Sequence, residues 1–206
     1  MTKLILCLLG ILPVMLQAQE IPSGVYIKSI GYQGNGCPQG TVVTNLAADQ
    51  KAFTLTFSNY AVETDIPERR RLGFNQKFCN IRAGLVIPKG WSYSLLSVDY
   101  RGYASLEEKT FAVQRSLISF GGILLASFGE YKMKGPIDEN FQFRGVAPVR
   151  NLAWSPCSNG GAAELPVNIF SVIMILGQKG LVTTDSVDGE VHQYGMTYRK
   201  CTPGQR

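Results

Sequence analysis

Apolar residues recur at every second position along most of this chain, and that period constrains the fold more than any other feature. In Lys51-Ala52-Phe53-Thr54-Leu55-Thr56-Phe57, one face carries Phe53, Leu55 and Phe57 and the other carries Ala52, Thr54 and Thr56. Side chains alternate in this way only along an extended backbone, so the segment is a half-buried strand. The same pattern predicts strands over residues 25–30, 79–87, 91–103, 110–120, 123–128, 141–149, 167–176, 181–186 and 191–200. Gly, Pro, Asn and Asp separate them, and Asp188-Gly189 is a hairpin signal between the last two. No segment shows the spacing of an amphipathic helix. About ten short strands with regular turns imply an all-β domain. We expect an antiparallel β-sandwich, because several strands have one apolar and one polar face; a closed β-barrel is the alternative.

Two stretches break the alternation. Residues 167–176 are nearly all apolar, as are residues 117–128 around Gly121-Gly122. Each is expected to be a central strand covered on both faces. A sharper alternative makes residues 117–128 a hairpin that enters a membrane or a partner's groove.

The N-terminal residues lead us to expect export from the cytoplasm. Lys3 precedes an apolar run from Leu4 to Leu16, and Gln17-Ala18-Gln19 ends it with a small residue. This is the layout of a secretory signal peptide, with cleavage expected after Ala18. The run is shorter than the roughly 20 residues that span a bilayer. Cys7 lies in its middle, preceded by Leu6 rather than placed at the end where a lipid is attached, so no stable membrane anchor is expected. Residues 19–206 are then a single domain, secreted or periplasmic. Loss of residues 1–18 removes Lys3 and no acid, so 20 basic residues become 19 against 15 acidic ones, a net charge of +4. That surplus is mild, and neither a basic stripe nor a nucleic-acid motif accompanies it.

Four of the five cysteines, Cys37, Cys79, Cys157 and Cys201, survive that cleavage. An even number in an exported chain reads as two disulfides. Of three connectivities we favour Cys37–Cys79 and Cys157–Cys201, each stapling its own half of the chain. Two such staples suit two stacked sheets. A metal site is disfavoured, because no two Cys are close in sequence and His192 is the only histidine.

Several motifs taken together are similar to a family of exported bacterial and fungal proteins known as domain of unknown function 4360. They are Gly34-Asn35-Gly36-Cys37-Pro38-Gln39-Gly40, Phe78-Cys79-Asn80, Pro88-Lys89-Gly90-Trp91, Asp99-Tyr100-Arg101-Gly102-Tyr103-Ala104, Trp154-Ser155-Pro156-Cys157 and Tyr198-Arg199-Lys200-Cys201. The chain departs from the family pattern at Ser158, where Gly is frequent, and at Tyr198, where Trp is frequent. The resemblance implies a small secreted β domain with paired cysteines, and it brings no activity with it.

The motif with the most chemistry is Asp99-Tyr100-Arg101-Gly102-Tyr103. Strict alternation puts Asp99, Arg101 and Tyr103 on one face, in line with Trp91, Tyr93 and Leu95. A carboxylate, a guanidinium and aromatic rings can grip a sugar or a peptide end, so Asp99, Arg101, Tyr103 and Trp91 are the candidate ligand-binding residues. The alternative is an ion pair with a structural role, Gly102 allowing a bulge. The glycines of residues 31–40 lack a phosphate-loop spacing and serve the turn around Cys37. Asp185, Asp188 and Glu190 cluster near a turn without the full calcium-loop pattern. Glu68-Arg69-Arg70-Arg71 reads as a solvated loop in a turn-rich segment, residues 59–76, with contact to anionic envelope polymers as the alternative. His192 has no evident nucleophile partner and reads as structural. No cofactor and no metal are expected. The function expected is a non-catalytic extracellular binding module for a glycan, envelope or protein surface. The alternatives are a hydrolase of envelope polysaccharide working through two carboxylates, and a structural or inhibitory protein with a protein partner. The sequence does not specify an oligomeric state.

Overall fold

The computed structural model describes residues 20–67, 71–121, 123–184 and 191–202. The expected signal segment, the Asp188-Gly189 turn with its acids, and Glu68, Arg69 and Arg70 lie outside them. Among the described residues there are twelve strands: β1 (Tyr26–Gln33), β2 (Val42–Leu46), β3 (Ala52–Phe57), β4 (Ala61–Asp65), β5 (Gly73–Ile87), β6 (Trp91–Leu106), β7 (Phe111–Phe120), β8 (Ile123–Lys134), β9 (Ile137–Val146), β10 (Ala163–Gly177), β11 (Lys179–Thr183) and β12 (Val191–Lys200). They form two open antiparallel sheets. One runs β1-β5-β10-β7-β8; the other runs β2-β3-β12-β6-β11-β4, with β9 on the far side of β6. This is the sandwich that the alternation implies.

The core lies between the sheets. Ile81, Ala83, Leu85 and Ile87 of β5 and Ile169, Ile173 and Ile175 of β10 are buried together with Phe53 and Leu55 of β3, Tyr93, Val98 and Tyr100 of β6, and Tyr194 of β12. Each large side chain sealed in this way contributes about 1.5–3 kcal/mol. Truncation of a central one leaves a cavity as well. Ile169→Ala is therefore expected to lower the unfolding free energy by about 2–5 kcal/mol in urea titration.

Both disulfides have the expected pairing: Cys37–Cys79 with Cα atoms 5.5 Å apart, and Cys157–Cys201 with Cα atoms 6.0 Å apart. One half of the chain per sheet is not what they hold. The five-stranded sheet takes β1 and β5 from the first half and β7, β8 and β10 from beyond β6, so each sheet is assembled from both halves. The spacing of cysteines along the chain carries no information about which sheet each strand joins.

Other differences have local causes. Residues 59–76 are not all turn: they hold β4 and the first four residues of β5. In β4 only Val62 and Thr64 are buried, and the flanking Glu63 and Asp65 mask so short a pattern. β2 escaped notice for a similar reason, since it has no fully buried residue. The strand expected over residues 141–149 begins earlier, at Ile137, and ends at Val146, before Pro148 opens a short 3-10 turn. No helix among the described residues is long and apolar enough to cross a membrane.

Candidate functional site

The largest departure concerns β10. It is central, between β5 and β7, but it is covered on one face only. Val167, Ile169, Ser171, Ile173 and Ile175 point into the core; on the outer face Val172 is buried, whereas Pro166, Asn168, Phe170 and Met174 are partly exposed and Leu176 is exposed. The near-continuous apolar run therefore does not mark a strand buried on both sides. Its second face is an open surface.

Strand register arranges that surface in rows. Arg82, Asn168 and Ser119 stand opposite one another across β5, β10 and β7, with Gly31 of β1 completing the row. The next row is Gln33, Asn80, Phe170 and Leu117. These two rows line a groove of about 600 Å³. Phe170 lies 5.9 Å from Phe78, with the rings tilted by 32°, so the aromatic floor continues beyond the groove. Arg82 Nη1 donates to Asn168 Oδ1 at 3.5 Å. At the far end of the sheet, Phe74, Leu176 and Phe111 stand opposite one another and are 61%, 43% and 44% exposed.

A carboxylate fixes the near end. Glu164 reaches across β5 to accept a hydrogen bond from Ser29 Oγ and to pair with Lys28 Nζ at 3.2 Å. The Ser29 hydroxyl first, and Lys28 next, hold its carboxyl below the usual carboxylate range. The crossing is possible because residue 84 is glycine: a Cβ there would sit 2.1 Å from Glu164 Oε1. Neither Gly31 nor its surroundings are crowded, and a Cβ at Gly31 meets nothing within 4 Å.

The residues singled out by sequence fall elsewhere. Asp99, Arg101 and Tyr103 share the outer face of the seven-stranded sheet, but Trp91, Tyr93 and Leu95 do not. A bulge at Leu96 shifts the register, with Gly195 opposite Ser97 and Met196 opposite Leu95. The buried positions change from Tyr93 and Leu95 to Val98 and Tyr100 across it, and Trp91 packs against the core edge under Lys200. The ion-pair partner of Asp99 is Arg144 of β9, at 3.6 Å, while Arg101 is exposed and the Tyr103 hydroxyl donates to Asp138. Gly102 makes no bulge. It pairs in register with Phe141, and the missing side chain leaves room for the Phe141 ring and the Thr183 carbonyl.

Two catalytic ideas can be placed on the same map. Glu107, Glu108 and Asp138 share a second depression of about 670 Å³. All three face solvent. Glu107 pairs with Lys179 at 3.5 Å. His192 is fully buried, with Phe57 and Tyr100 ring centres 4.8 Å away, and Gln114 donates to its Nε2 at 2.8 Å. Burial lowers its pKa to about 3. A neutral imidazole sealed in the core has no path to a substrate.

Residues 23–201 match the family model described as domain of unknown function DUF4360. The chain belongs to the DUF4360 family. A relative from Arthroderma benhamiae, named an uncharacterized secreted protein, is 32% identical over 182 residues, covering 88% of this chain and 74% of that protein. Among solved structures, the DUF4360 chain is loosely similar to TmCBM61 in complex with β-1,4-galactotriose, at 11% identity and a TM-score of 0.25 over 84% of this chain and 90% of that one. It is also loosely similar to the N-terminal cellulose-binding domain of Cellulomonas fimi β-1,4-glucanase C, at 10% identity and a TM-score of 0.29 over the same shares. Likenesses this distant assign no ligand to the DUF4360 groove.

Proposed function

We propose that this protein is a secreted, non-catalytic binding module whose ligand lies in the groove on the outer face of the five-stranded sheet. The observation that carries the reading is the open face of β10. A folded domain ordinarily gives a sheet's solvent face polar residues, yet here Phe170, Leu117 and Phe78 are set among Asn80, Asn168, Gln33 and Arg82. Apolar surface with a few convergent polar groups is the usual composition of a small-ligand site. Aromatic rings supply area, and amides fix orientation through both donors and acceptors. Export is supported by two disulfides, which persist in oxidising compartments, by the signal-like N-terminus and by the secreted relative.

The test is a panel of soluble and insoluble polysaccharides, run as pull-down and affinity electrophoresis. Gly31→Leu fills the groove where there is room for a side chain and is expected to abolish binding while leaving the melting temperature nearly unchanged. Phe170→Ala is expected to weaken binding at least about tenfold, in line with loss of one stacked ring. Binding that survives both substitutions would remove the groove from the account.

A further inference from the structure

We infer that the groove is built for an acidic polysaccharide, with Arg82 holding a sugar carboxylate and Phe170 supporting the C–H face of the same or the next ring. This rests on the groove being the binding site. A guanidinium offers five N–H donors in a fixed fork. The described residues give Arg82 one hydrogen bond, to Asn168 at the 3.5 Å limit, and no salt bridge. Glu164 is near enough for its charge and that of Arg82 to act on each other, but the two form no ion pair, and the Glu164 oxygens are engaged by Ser29 and Lys28. Among the described residues no acid lines the groove, so Arg82 gives that lining a net positive charge.

The other polar groups distinguish a sugar acid from a phosphate. Asn80, Asn168 and Gln33 each carry an acceptor as well as donors, and Ser119 adds a hydroxyl. Sugar hydroxyls donate and accept, and so satisfy both. Phosphate oxygens only accept, and would leave the amide carbonyls of Asn80 and Gln33 without a donor. The carboxylate binds the Arg82 fork in a bidentate geometry, while the hydroxyls of neighbouring sugars meet the amides.

Binding to polygalacturonate, alginate and hyaluronate is compared with binding to their carboxyl-methylated esters, using wild type, Arg82→Gln, Arg82→Lys and Gly31→Leu. We expect at least one uronan to bind, its ester to bind at least about tenfold more weakly, and Arg82→Gln to reproduce that loss on the free acid. Arg82→Lys, which keeps the charge without the fork, is expected to fall between. If ester and acid bind equally and Arg82→Gln changes nothing, the carboxylate assignment is wrong while the groove stands. If Gly31→Leu leaves uronan binding intact, the groove itself is wrong. Failure of all three uronans to bind, or Arg82-dependent binding to phosphatidylserine vesicles instead, also overturns the inference.

Discussion

Replacing Cys37 and Cys79 together by serine is expected to lower the unfolding free energy by about 4 kcal/mol. The bridge spans a sequence separation of 42, and Cys157–Cys201 spans 44. In the chain-entropy model, closing loops of that length removes similar freedom from the unfolded ensemble in each case. The two together amount to about 8 kcal/mol, against a total of about 5–15 kcal/mol for an ordinary domain. Cys37 and Cys79 are also both buried, so their serine hydroxyls must find partners in the core or add a desolvation penalty. The variant lacking all four cysteines should therefore be largely unfolded at 37 °C, as read by near-ultraviolet circular dichroism. Retention of a cooperative transition within about 1 kcal/mol of wild type would show that packing alone holds the sandwich.

Acid is expected to weaken the fold through His192, and the sign follows from where the proton binds. In the unfolded chain a histidine titrates near 6.5; in the folded core burial holds it at about 3. Between these values the unfolded state binds the extra proton, so stability falls as pH falls. The contribution is complete above pH 6.5, declines by about 1.4 kcal/mol per pH unit below it and levels off near pH 3, reaching a loss of about 2 kcal/mol at pH 5. The physical cause is geometric. Phe57, Tyr60, Tyr100 and Tyr194 surround the ring, and Gln114 supplies its one hydrogen bond to Nε2. Among the described residues Nδ1 has no hydrogen-bond partner and no carboxylate is paired with the ring, so nothing there offsets the cost of charging it. Urea titrations between pH 7 and pH 4 on wild type and His192→Gln measure this directly. The variant should lose the component with the histidine slope while keeping whatever the carboxylates contribute. Identical pH profiles would show that the imidazole reaches solvent or a counter-charge.

What the residues made legible was local. Alternation located the extended segments at the centre of the fold, because burying one face of a strand imposes a period of two wherever the strand lies. Cysteine pairing was legible because export and even number leave few options. The uncovered face of β10 was not, since Val167 to Leu176 reads the same whether its second face meets a layer of protein or open solvent; coverage is decided by elements far away in sequence. The displacement of Trp91 from Asp99 did leave a trace. Apolar residues fall on odd positions at Tyr93 and Leu95 and on even positions at Val98 and Tyr100, and that change of phase is the bulge at Leu96. Arg82, Asn168 and Phe170 were missed for a third reason. Arg82 comes from β5 and Asn168 and Phe170 from β10, and only register sets them side by side.

Titration of isotope-labelled protein with a uronan oligosaccharide, followed by backbone amide shifts, locates the ligand on one sheet or the other. With the ligand on the outer face of the five-stranded sheet, changes are expected to concentrate at Gly31, Gln33, Asn80, Arg82, Ser119, Asn168 and Phe170. Changes centred on Asp99, Arg101 and Tyr103, across the sandwich on the other sheet, would contradict that placement.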